Sequence, residues 1–243
     1  MLYDITTILR KELKEIFVQR GSLRAGITNL LIVIGIIGIL FPLQTGRAWI
    51  TNPIGLFSTA WLPLFMCMGL VADAFAGERE RHTLETLLAS RLSDQAILLG
   101  KMGAAVLYGL GITFTGMLLG AVTVNLSDPG AGFYPAANLL GAVVFSVLGS
   151  LLVTGIGVQV SLHANNVRQA YQHMSLGFIV LWLPLMLAPQ LMPEEWKAQL
   201  GLWLSTLNVT QALVGIGAAL LVADLFLIGL AIARFQRSRL ILD

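Results

Sequence analysis

Six apolar runs, each followed by a polar connection, constrain this 243-residue chain more than any single motif does. They occupy residues 26–41, 54–75, 100–124, 138–162, 174–191 and 212–233. A helix rises about 1.5 Å per residue and the hydrocarbon core of a bilayer is about 30 Å thick, so about 20 apolar residues cross it. The first run is the shortest. Only 12% of the residues are charged and 56% are hydrophobic, with a mean hydropathy of +0.82, against about 25% charged in soluble domains. These features predict an all-α integral membrane protein of six transmembrane helices. Connections this short leave no room for a separate soluble domain, so residues 1–243 are read as a single transmembrane domain.

Charge position sets the expected orientation. Of the 15 Lys and Arg residues, all but Arg47 and Lys197 fall before the first run, after the second, after the fourth or after the sixth. Basic residues favour the cytoplasmic side, which predicts both termini in the cytoplasm. The basic stretch before the first run is too long for a cleavable signal peptide, and none is expected. The single Cys67 lies inside an apolar run and has no partner for an intrachain disulfide.

Residues 1–25 place Ile5, Leu9, Leu13, Ile16 and Phe17 on one helical face and Arg10, Lys11, Lys14 and Glu15 on the other. That period suits an interfacial helix in the headgroup plane that elbows into the first span near Gly21, or a solvated juxtamembrane helix that only fixes orientation. In residues 192–211, Trp196, Leu200, Trp203, Leu204 and Leu207 recur at helical spacing. This predicts a short helix dipping into the outer leaflet, with its Trp residues at the interface. The glycosylation-type triplets beginning at Asn125 and Asn208 are read as chance.

The polar island 77–101, GERERHTLETLLASRLSDQAILLGK, carries much of the charge and belongs in water. Within 83–90, Leu84, Leu87 and Leu88 share a face opposite Glu85 and Thr86, the pattern of a short amphipathic helix. Ser93 followed by Asp94 reads as the N-cap of the helix that leads through Lys101 into the third span. Glu78, Glu80 and Glu85 offer carboxylates to a basic partner; the plainer reading is a solvated loop with charge pairs of its own.

The run Glu80-Arg-His-Thr83-Leu84-Glu85-Thr-Leu87-Leu88, with Ser93 and then Ile97-Leu-Leu-Gly100-Lys101, resembles the signature of permease subunits of the ABC-2 superfamily of ABC transporters. That signature runs roughly E-R-G-T-L-E-x-L-L-x-x-P-x-S and then I-L-x-G-K. His82 stands where glycine is common and Arg91 close to where proline is common. The resemblance implies an N-terminal elbow helix, six spans, and a coupling helix in residues 76–101 that docks on a nucleotide-binding subunit through Glu78, Glu80, Thr83, Leu84, Glu85, Leu87 and Leu88. It further implies a second permease chain, identical or homologous, surrounding membrane lipids, and ATP with Mg on the partner subunit, with no cofactor, metal or nucleic acid bound by this chain. Gly100-Lys101 is no phosphate loop, since Met102 follows it and Gln95 stands where the first glycine is needed.

Among intramembrane polar residues, Asp224 lies ten positions before Arg234, or about 15 Å along a helix, near the bilayer midplane. A carboxylate there is costly. It either hydrogen-bonds to Thr or Asn of a neighbouring span or lines the transport path. Asp73, expected at the inner interface, and Asn29 are further candidates. Gln159 and His163 read as interhelical hydrogen-bonding groups, and Gly116 with Gly120 permits a close helix approach.

An intramembrane protease reading of Glu194-Glu195 fails because His82, His163 and His173 fall on the opposite side and cannot converge with it. No enzyme is expected. A stand-alone channel or secondary transporter is the alternative, disfavoured by the few charges in the spans and by the lack of paired broken helices. The expected function is the permease subunit of an ATP-driven exporter, with apolar spans favouring a hydrophobic or amphipathic substrate.

Overall fold

The computed structural model describes residues 1–18, 23–206 and 209–235, and every regular element among them is helical. In chain order these are α1 (Leu2–Val18), α2 (Leu23–Gly35), a π-helical turn (Ile36–Leu40), α3 (Phe41–Thr45), α4 (Ala48–Thr51), α5 (Pro53–Glu80), α6 (Leu84–Leu88), α7 (Asp94–Ser127), α8 (Ala136–His163), α9 (Val167–Leu191), α10 (Glu194–Thr206) and α11 (Val209–Arg234). The five later apolar runs each fall in one helix, and the first is divided among α2, the π-helical turn and the start of α3. Among the described residues, three stretches are clearly long and apolar enough to cross a membrane: Asp94–Ser127, Ala136–His163 and Leu213–Arg234.

The long helix α5 is central, packing chiefly on α8 with α7 and α9 beside it, while α11 lies on α8 and α1 on α7. With lipid replacing water, apolar burial no longer drives helix association, and close van der Waals packing takes over. Small residues supply it. A Cβ on Gly157 would come within 2.6 Å of Val71 and Met174, and one on Gly155 within 2.9 Å of Leu227, so these two positions let α8 seat against α5, α9 and α11.

Two apolar cores result. At the island end, Ile8, Val71, Phe75, Ile97, Leu98, Val158 and Met174 join Phe235, whose ring centroid lies 5.1 Å from that of Phe75. At the far end, Ile37, Trp49, Ile50, Met117, Val124 and Tyr134 form the second. Gly116 and Gly120 belong to this second core, where Cβ atoms would meet Ile37 at 2.9 Å and the Trp49 indole nitrogen at 2.8 Å. Their close approach is therefore made within the chain.

The π-helical turn sits at that core. Its widened ring, closed by the Phe41 N–H on the Ile36 carbonyl, leaves the Gly38 carbonyl to accept from the Thr123 hydroxyl of α7 at 2.7 Å. Beyond α7 the side chain of Asn125 holds the next loop, donating to the Gly132 carbonyl at 2.7 Å and accepting from its N–H at 3.1 Å. Asn208, the other triplet asparagine, lies outside the described residues. The helical spacing of residues 192–211 is realised as α10, in which Glu194 pairs with Lys197 at 2.6 Å.

Candidate functional site

The island resolves into the last turn of α5, the five-residue α6 and the first turns of α7. Ser93 accepts from the Ala96 N–H at 3.3 Å and starts α7 as its spacing predicts. α6 covers five residues of the 83–90 stretch, with Thr83 at its N-cap position making no side-chain cap. Its hydroxyl donates instead to the Glu78 carboxylate. Leu84 and Leu87 pack against the island-end core, and Glu85 and Thr86 face outward. The side chain of Leu88 lies outside the described residues, as does that of Asn29.

Three helices meet at Lys101. Its ammonium donates to Glu12 of α1 at 2.7 Å and to Glu78 of α5 at 3.2 Å, with the Lys101 side chain only 2% exposed. Lys11 adds a longer contact to Glu78 at 3.9 Å. Burial pushes the Glu78 carboxyl up, but the Lys101 ammonium, the Thr83 hydroxyl and Lys11 outweigh it and hold it below its ordinary value. A charge buried without a partner costs several kcal/mol, so the network fixes how α1, α5 and α7 lie together.

Gly100 makes that meeting geometrically feasible. A Cβ there would come within 2.7 Å of Ile8 and 3.3 Å of the Ile5 carbonyl oxygen, so only glycine lets α1 approach closely enough for Glu12 to reach Lys101. The helical spacing places Ile5, Leu9, Leu13, Ile16 and Phe17 on one apolar face, of which Ile5 and Ile16 pack against the island-end core. Ile8, which that face omits, is 3% exposed, the most deeply buried of the α1 side chains among the described residues.

The two residues after Glu78 tie α5 to the corner between α8 and α9. Arg79 donates to the Ala164 and Leu162 carbonyls at the end of α8, which satisfies helix-terminal acceptors with a cation at the negative end of the dipole. Glu80 accepts from the Val167 N–H at 3.1 Å, at the start of α9. Ser161 adds a third tie: its hydroxyl donates to the Ala72 carbonyl at 3.0 Å and accepts from the Ala76 N–H at 3.0 Å, inserting between two groups that a regular helix joins to each other.

His82 has a φ of +56°, the left-handed conformation that glycine adopts at little cost. The motif position where glycine is common is therefore a position whose backbone calls for glycine. Before this turn Arg81 reaches back along α5 to Asp73 at 3.1 Å, which places Asp73 at the island end in an ion pair.

Of the residues read as partner-facing, the structure separates three kinds. Glu78 is buried and engaged by Lys101, so it does not face outward. Glu80 is exposed but bonded to Val167. The Glu85 carboxylate is exposed and, among the described residues, holds no hydrogen bond or ion pair.

Asp224 lies apart from this group, on α11. It is 1% exposed, and neither carboxylate oxygen has a hydrogen-bond partner among the described residues. The hydrogen bond to a neighbouring Thr or Asn is thus not made there. Gln159 does bridge helices, accepting from Arg234 at 3.3 Å, whereas His163 bonds within its own helix to the Gln159 carbonyl at 2.7 Å.

Membrane-length apolar helices, bundled around an end that carries buried ion pairs, define a multi-pass membrane protein. A family model described as ABC-2 family transporter protein matches residues 57–238, and the chain belongs to that family. Members are membrane permeases of ABC transporters, transport subunits that work with an ATPase subunit. No curated protein matches the chain.

Proposed function

We propose that this chain is the permease subunit of an ATP-driven exporter in a prokaryotic cytoplasmic membrane. The match over residues 57–238 carries the reading. In it, the helices that coincide with the six apolar runs all span, both termini are cytoplasmic as the basic residues favour, α1 is the elbow helix and α10 dips into the outer leaflet. The chain acts as a dimer with an identical or similar permease among membrane lipids, and ATP and Mg bind on the separate nucleotide-binding subunit.

α6 is the coupling helix of this proposal. Glu85 projects from it toward the partner, while Leu84 and Leu87 root it in the core. A push on α6 reaches α1 and α7 through Glu78 and Lys101, and reaches α8 and α9 through Arg79 and Glu80. Such a push changes the spans only if the partner binds their two arrangements with different affinity. Asp224, an acid without a hydrogen-bond partner among the described residues, lines the transport path, and the substrate is hydrophobic or amphipathic.

Isolation in mild detergent followed by an ATP-hydrolysis assay tests the reading. The expected product is a stoichiometric assembly that hydrolyses ATP. A chain isolated alone and inactive would make it a stand-alone channel or secondary transporter.

A further inference from the structure

Between the island end of α5 and the first turns of α9 lies an open groove of about 740 Å³. Asp73, Glu80 and Arg81 form its α5 wall, and Arg168, Tyr171 and Gln172 its α9 wall. The acids on the α5 side are already engaged, Asp73 by Arg81 at 3.1 Å and Glu80 by the Val167 N–H at 3.1 Å. On the α9 side the guanidinium of Arg168, the hydroxyl of Tyr171 and the amide of Gln172 have no partner among the described residues. Spaced i, i+3 and i+4, they share one helix face, so the groove presents unmatched donors on one wall, and on the other an acid paired with a cation and an acid held by a backbone N–H.

The groove also has depth. It reaches Gly69, eleven residues before Glu80 and hence about 16 Å along the helix axis. A Cβ at Gly69 would meet nothing within 4 Å, so the floor there is open. Donors at the rim and an open trough running to the depth of lipid tails match a molecule with an anionic oxygen head and a chain. Inorganic phosphate would satisfy the donors but make no use of the trough.

We infer that this groove holds a phospholipid, with its phosphodiester on Arg168, Tyr171 and Gln172 and an acyl chain along α5 over Gly69. Guanidinium forks suit phosphate oxygens. The inference requires only that the chain sits in a membrane and is independent of ATP coupling.

Native mass spectrometry of the full chain, released from detergent in the presence of dioleoyl phosphatidylglycerol, tests it. One lipid per chain is expected to stay bound to the wild type. Arg168→Gln should lower the retained fraction about fivefold, the loss of one basic contact near a lipid headgroup. Gly69→Phe, which fills the trough with Arg168 intact, should lower it as well, while Gly69→Ala should not. Arg168→Gln lies on an exposed position, so its result stands even if the bulky variant fails to fold. Retention unchanged in Arg168→Gln would overturn the site. Release of the lipid by excess inorganic phosphate would reduce it to an anion site and overturn the lipid assignment. Loss of a copurifying ATPase subunit from Arg168→Gln, with the lipid retained, would assign the groove to protein docking instead.

Discussion

The Lys101 ammonium lies 3.2 Å from the Glu78 carboxylate, with the two side chains only 2% and 7% exposed. Glu12 of α1 approaches the same ammonium at 2.7 Å. Replacing Lys101 by Met leaves both carboxylates near one another without their cation. The expected loss of stability is about 3–5 kcal/mol, as for other broken buried pairs. Lys101→Met combined with Glu78→Gln should recover part of it, and denaturant unfolding in detergent measures the difference.

The same pair sets a pH dependence. Because Glu78 is held below its ordinary value in the fold, its contribution is fully present above the ordinary carboxylate range. It is lost as pH falls through the lowered value. Amide protection across α1, taken relative to the intrinsic exchange rate at each pH, should therefore stay constant from neutral pH to the ordinary carboxylate range and fall only below it. In Glu78→Gln that acid step should shrink.

Gly100→Ala places a methyl group against the β-branched Ile8 and the Ile5 carbonyl. Neither neighbour yields easily. The expected cost is about 1–3 kcal/mol, with faster amide exchange across α1, whereas α8 and α9 should exchange as in the wild type.

His82→Gly should stabilise the chain. At a φ of +56° a side chain costs about 1–2 kcal/mol relative to the right-handed region, and the greater freedom of glycine in the unfolded chain offsets part of that. His82 is exposed, so little packing is lost. A net gain of about 1 kcal/mol, read as a higher melting temperature, is expected.

Asp224→Leu should raise or preserve stability, because it removes a buried carboxylate that has no hydrogen-bond partner among the described residues. An unmatched buried polar group costs about 1–3 kcal/mol. If Asp224 lines the path, transport-coupled ATP turnover should fall in the same variant. Higher stability with unchanged turnover would make the residue irrelevant to transport.

Local patterns were legible in the sequence. Hydropathy and length located the helices, serine followed by aspartate located the start of α7, and helical spacing located α10. Contacts between distant positions were not. Lys101 and Glu78 are 23 residues apart and Lys101 and Glu12 are 89, and nothing local distinguishes these charges from a solvated run. The ties from Arg79 and Glu80 to the corner of α8 and α9 are hidden for the same reason. Ile8 is not legible because an amphipathic period points to a flat membrane surface, whereas α7 packs on α1 at Ile8, over Gly100.

Docking of a nucleotide-binding subunit on α6 is decided by copurification from native membranes, comparing wild type with Glu85→Lys. Glu85 is the cleaner probe, since reversing Glu80 to Lys also removes the cap on Val167. A stoichiometric ATPase is expected with the wild-type chain and is expected to be lost from Glu85→Lys, with membrane insertion unchanged in both. Equal recovery of the ATPase with the two chains would contradict the assignment of α6 as the docking element.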